Sequence, residues 1–268
     1  MAHIWTIVPP LIRKERICAA HCGPFALFSL TALGAVVAAP TASAITNGTL
    51  DGGRHPAVGG LVSPTQYSDG TWIYCSGTLI SPTVFLTAAH CGTDGEQVIV
   101  TFDTQYQAGD KVYTGTFQSD PLYPGNQSDS HDIAVVVLDK AVRGITPALL
   151  PEADSLSDLP STQPFTSVGY GAYKVTNGPG GHRYLYDDRR MVAVGTLNAT
   201  NPTWLRIAST GNGGTCYGDS GGPNFLGATN IIAAITITGD AVCRSTNVVY
   251  RLDTASARAF LAEYVALP

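Results

Sequence analysis

The chain has 268 residues, 44% hydrophobic and 13% charged, with 29 Gly and 17 Pro. That length holds one large domain or two small ones around a real core, and the turn-rich, weakly charged composition excludes a disordered or coiled-coil protein. The formal net charge of −5 comes with no basic block, which argues against binding to nucleic acid or an anionic membrane.

The first 44 residues read as a leader rather than as part of the fold. Arg13, Lys14 and Arg16 supply a positive region, residues 25–39 are almost uninterruptedly apolar, and Ala42-Ser43-Ala44 has the small-x-small pattern that a signal peptidase reads. The apolar run falls short of the roughly 20 residues that a membrane helix needs, so a cleaved export signal is expected before an uncleaved anchor. Its removal takes three of the 15 basic and one of the 20 acidic residues, leaving a net charge of −7. Cys18 and Cys22 leave with it. Cys75, Cys91, Cys216 and Cys243 remain, an even count that outside the cell implies disulfides and allows three pairings. The remaining chain has no Cys-x-x-Cys, so no zinc site is expected.

From residue 45 onward the pattern is strands punctuated by turns. Residues 71–80, 97–102, 111–117 and 133–138 are short β-branched or aromatic runs separated by Gly, Asp, Pro and Asn clusters. Residues 145–162 carry three prolines and no strand pattern, and read as a connector between two halves. A second series follows at 165–170, 191–197, 204–208, 231–238 and 248–252. Only the end looks helical: Asp253 can cap, and Ala255, Ala257, Phe260, Leu261, Tyr264 and Val265 form an apolar stripe at helical spacing. Two all-β units and one terminal helix are predicted, and such strands suit barrels or sandwiches.

Three short stretches carry chemistry. In TCYGDSGGPNF, an acid, Asp219, directly precedes Ser220, with Gly218 ahead of the pair and Gly221 and Gly222 behind it. A serine hydroxyl needs an adjacent base, itself held in one tautomer by a third group. It also needs donors aimed at the developing oxyanion, which the N–H groups of Gly218 and Ser220 can supply. Gly218 has the backbone freedom for this because it lacks a β-carbon. Candidate bases are His55, His90, His131 and His182, and His90 stands out at the end of the apolar LTAAHC, beside Cys91. Asp132 opens HDIAVVVLD, where a carboxylate entering a buried strand wants a partner such as an imidazole N–H. His131 beside it reads as a loop residue.

CSGTLISPTVFLTAAHC, SHDIAVVVL and TCYGDSGGP follow one another in the order His, Asp, Ser, and the chain from 45 to 268 resembles the chymotrypsin-like (trypsin-like) serine proteases, most of all secreted microbial ones. The resemblance implies two six-stranded antiparallel β-barrels, residues 45–150 and 151–268, with the active site between them and the terminal helix on the second. It implies His90 as general base, Asp132 as its orienting carboxylate, Ser220 as nucleophile and Gly218 with Ser220 as oxyanion hole. It pairs Cys75 with Cys91 and Cys216 with Cys243. It also gives Asp219 a role, as partner of an α-ammonium freed at the start of ITNGTLDGG. Ile45 directly follows Ala42-Ser43-Ala44, so removal of the leader would itself create that amine.

By the same resemblance the primary specificity pocket has Gly214 on its floor, where a preference for Lys or Arg would need a carboxylate; Asp240 is a fallback. Ile237, Thr238 and Gly239 form one wall, with Ile237 at a position that is usually a serine supporting the aspartate; a shifted register puts Thr236 there. Val248 replaces a glycine and shortens the pocket. A shallow neutral pocket for small or medium apolar side chains is expected, with loose selectivity.

The implied activity is a secreted serine endopeptidase acting on polypeptides. It is expected to be monomeric, open to protein inhibitors, without cofactor or metal, and without nucleic-acid or stable membrane partners. The alternative is a catalytically silent binding protein on the same fold, since a fold can outlive its chemistry. An esterase elbow in an α/β chain does not suit the β-rich pattern. The sequons at Asn47, Asn126 and Asn198 matter only in a glycosylating source, and only the last two are expected to be used.

Overall fold

The computed structural model describes residues 45–209 and 213–268, and the predicted leader lies outside the described residues. A two-residue strand, β1 (Thr49–Leu50), opens the described chain. Six strands follow: β2 (Val58–Val62), β3 (Ile73–Ser81), β4 (Val84–Thr87), β5 (Gln97–Thr101), β6 (Val112–Ser119) and β7 (Ala134–Leu138). They close into an antiparallel barrel in the order β2-β3-β4-β7-β6-β5, with β5 returning to β2. Alternate side chains turn inward, and Leu61, Leu79, Phe85, Val100, Phe117 and Val135 are buried there.

The connector at residues 145–162 forms no strand, as its prolines dictate. Beyond it come β8 (Pro164–Gly169), the hairpin β9 (Lys174–Gly178) and β10 (Gly181–Leu185), β11 (Met191–Thr200), β12 (Trp204–Ser209), β13 (Pro223–Leu226), β14 (Ile232–Gly239) and β15 (Thr246–Arg251). Six of these form the sheet β11-β12-β15-β14-β13-β8, which the pairing of β8 with β11 closes into a second barrel. Leu156, Phe165, Leu205, Ile207 and Val249 fill it. β1 lies in register against β11, with Thr49 opposite Val192, so the first described residues are hydrogen-bonded to the second barrel.

The helix α1 (Ala255–Leu261) ends the fold, and Ala257, Phe260 and Leu261 join the core cluster that contains the first barrel. The cap is Thr254, whose Oγ1 accepts from the Ala257 N–H at 3.3 Å, and not Asp253 as the sequence suggested. Asp253 is unavailable because its carboxylate takes the Arg251 guanidinium and the Leu156 N–H.

The two-barrel architecture is therefore the expected one, and strands missing from the sequence reading have physical reasons. β2 is VGGLV, with two glycines at its centre. β4 has only four residues. β13 begins at a proline, tolerated as the first residue of a strand but read as a breaker. The β9–β10 hairpin is largely polar and shows no apolar alternation.

Candidate active site

His90 sits in a one-turn 3-10 segment, Ala89–Cys91, at the end of β4. Its Nδ1 is 2.8 Å from Asp132 Oδ2, and its backbone N–H donates to Asp132 Oδ1 at 3.0 Å. Asp132 is 8% exposed, just ahead of β7. Both of its oxygens are engaged by one residue, which fixes ring orientation and places the proton on Nδ1, leaving Nε2 as the basic nitrogen. Among the described residues neither Ile237 nor Thr236 bonds to Asp132. Thr236 instead accepts from Asn224 and Asn247 inside the second barrel.

The other histidines are occupied elsewhere. His55 pairs with buried Asp51, His131 with Asp120, and His182 with Asn177. Of the four, His90 alone lines the cleft of about 640 Å3 that also holds Ser220 and Gly218. Location, not pairing with a carboxylate, distinguishes it.

The loop bearing Ser220 is pinned from several sides. Gly218 has φ 95°, a left-handed conformation that suits glycine, and a β-carbon there would stand 2.9 Å from Gly171 Cα. Gly221, at φ 76°, packs so closely that its β-carbon would lie 2.1 Å from Thr87 Oγ1. Ser76, which the sequence reading passed over, bridges the barrels. Its N–H donates to Ser220 O at 2.8 Å, its Oγ donates to Gly218 O at 2.9 Å, and that Oγ accepts from Tyr170 N. Its place directly after Cys75 in the motif was the signal available.

Both disulfides are present. Cys75–Cys91 fastens the base to β3, and Cys216–Cys243 ties the serine loop to the turn after β14. Cys75, Cys91 and His90 group closely enough to suggest metal ligands, but sulfurs held in a disulfide offer no thiolate.

Asp219 is 1% exposed. Its carboxylate accepts from Gly171 N and Cys216 N, each at 2.8 Å, yet burial outweighs these bonds and pushes its pKa up to about 7. Ile45 is fully buried against Met191. Thr46 Oγ1 donates to Ala172 O at 3.2 Å, next to the Gly171 N–H that reaches Asp219.

Thr236, Ile237, Thr238 and Gly239 line the cleft on one side, with Thr215 and the Cys216–Cys243 bridge nearby. Gly214 N donates to Thr46 O, and Val248 pairs with Thr238 across the ladder. Asp240 is on the rim. Burial opposes its ionisation, but N–H groups of Thr246, Ser245 and Arg244 overcome that and hold its pKa low. Tyr67, Asp69, Tyr74 and Tyr186 also line the cleft. The Tyr186 phenol is pushed up to about 12 by burial, then by Asp219 and Asp69.

Two antiparallel barrels, with an aspartate-paired histidine and a serine lining one cleft, are the arrangement of the chymotrypsin-like class of proteins. The chain belongs to the trypsin family, whose model, described as Trypsin, matches residues 52–259. It is 27% identical over 157 residues to glucanase inhibitor protein 1 of Phytophthora sojae, 56% of this chain and 60% of that one. It is 32% identical over 174 residues to brachyurin of Leptuca pugilator, 58% of this chain and 73% of that one. The match thus spans less than two thirds of the glucanase inhibitor protein. A solved HL collagenase shares the fold with a TM-score of 0.64 at 20% identity, over 82% of this chain and 98% of that one.

Proposed function

We propose that the protein is a serine endopeptidase that works through an acyl-enzyme. The observation that carries this reading is His90, paired with Asp132, lining the same cleft as Ser220 and a Gly218 held at positive φ. Ser220 Oγ attacks the peptide carbonyl as its proton passes to His90 Nε2, and Asp132 stabilises the imidazolium. The N–H groups of Gly218 and Ser220 receive the oxyanion. His90 then gives the proton to the leaving amine, and water repeats the sequence to free the acid.

The reading includes a neutral primary pocket for small or medium apolar residues. Asp240 supports the loop wall through its three N–H bonds rather than receiving a substrate cation. It also includes export, supported by the leader sequence and by disulfides that suit an oxidising compartment. Activation would follow leader removal, the new Ile45 ammonium pairing with Asp219, whose raised pKa marks a carboxylate lacking a cation among the described residues.

Cleavage of a mixed peptide library, read by mass spectrometry beside a Ser220→Ala control, tests the activity. Cuts after small or medium apolar residues, present only with Ser220, are expected. Cuts after Lys or Arg would overturn the neutral pocket. A folded chain beginning at Ile45 that makes no cuts would leave a silent binding protein instead.

A further inference from the structure

Among the described residues Arg190 is the largest fully buried side chain, and it lies outside the cleft. Its Nε donates to Asp51 Oδ2 at 2.9 Å, and its Nη1 donates to Val58 O and Phe102 O at 2.7 and 3.1 Å. The Asp51 N–H returns a bond to Arg190 O at 3.1 Å, and the second Asp51 oxygen is paired with His55. Apolar residues of similar volume usually stabilise a fold as well as a buried ion pair does, so such a pair is better explained by a geometry it specifies.

That geometry leads to Asp219. Tyr170 OH lies 3.5 Å from Arg190 Nη1; the next residue, Gly171, donates its N–H to Asp219; the next carbonyl, that of Ala172, accepts from Thr46. Met191, which follows Arg190, packs on Ile45. The arm between Ile45 and Asp51 is thus fixed at one end by the ion pair, and at the other Thr46 bonds to Ala172, the residue after the Gly171 whose N–H reaches the Asp219 carboxylate. The turn closed by Gly48 N to Ile45 O at 2.6 Å takes up its slack.

We infer that the buried Asp51–Arg190 pair is a positioning device for activation, which holds the arm in register so that an amine freed at Ile45 reaches Asp219. This rests on the N-terminal pairing proposed above. A short tether presents its end at millimolar effective concentration, so a free Ile-Thr dipeptide at tens of millimolar should replace a misplaced arm.

The test uses the chain beginning at Ile45, its Asp219→Asn variant, and the paired variant Asp51→Leu/Arg190→Met, assayed on a peptide substrate with and without Ile-Thr. The expected result is an inactive Asp219→Asn variant and a folded paired variant whose kcat/KM is down about tenfold or more. Ile-Thr should restore most of that loss and do nothing for Asp219→Asn. Full activity in Asp219→Asn would sink the N-terminal pairing itself. An inactive Asp219→Asn beside a fully active paired variant would sink only the positioning role. So would a folded paired variant that is weak and unrescued. If the paired variant does not fold, Asp51→Asn takes its place with the same readout, and failure of both to fold would make the pair purely structural.

Discussion

Ser76 gives the serine loop its purchase on the first barrel, through bonds to Ser220 and to Gly218 that span 144 and 142 residues of sequence respectively. Ser76→Ala removes one donor and the acceptor of Tyr170 N, so Gly218 loses part of its orientation. A net hydrogen bond is worth about 1 kcal/mol, so kcat should fall roughly fivefold at nearly unchanged KM in steady-state assays. Asp219 gives a prediction of definite sign. In a chain extended by Ala44 its folded pKa, about 7, exceeds the ordinary 3.8. The folded state therefore holds the extra proton between those values, and stability from this group is lost as pH rises through that window. With a free Ile45 ammonium the carboxylate ionises at little cost. Urea unfolding should show the two chains diverging from pH 4 to 7, by up to ~4 kcal/mol. Equal curves at both ends would count against the pairing.

Among the elements, the terminal helix and the second disulfide are the most separable. Thr254→Ala removes the cap of α1 and should cost about 1 kcal/mol, a fall of roughly 2–4 °C in the calorimetric midpoint. Replacing Cys216 and Cys243 by serine should lower stability by roughly 3 kcal/mol and broaden the cleavage preference, because both ends of the bridge border the pocket. A library profile unchanged in that variant would mean the wall is held by Asp240 alone. Elements were legible where side chains alternate over five or more residues, as in β5, β6 and β11. They were hidden where glycine or proline carries the chain, as in β2 and β13, since those residues support a strand only once its neighbours exist.

Across the whole molecule, the seam between barrels carries the site. The histidine, aspartate and serine were legible because each lies in a contiguous motif. Ser76 and the Asp51–Arg190 pair were not, because their meaning depends on partners far along the chain, 139 residues apart for the ion pair. Since Ser76 and His90 belong to one barrel and Ser220 to the other, loss of activity in denaturant should coincide with loss of near-ultraviolet dichroism. Activity that outlasts tertiary structure would contradict this arrangement. The same bridge has a bearing on biosynthesis. His90 and Asp132 emerge from the ribosome first, and Ser220, whose loop is bonded to Ser76 in the folded chain, arrives nearly ninety residues after Asp132. If the proposed peptidase activity holds, a nascent chain therefore has no cutting edge of its own, and neighbouring polypeptides, including its siblings, are safe until the last barrel has closed.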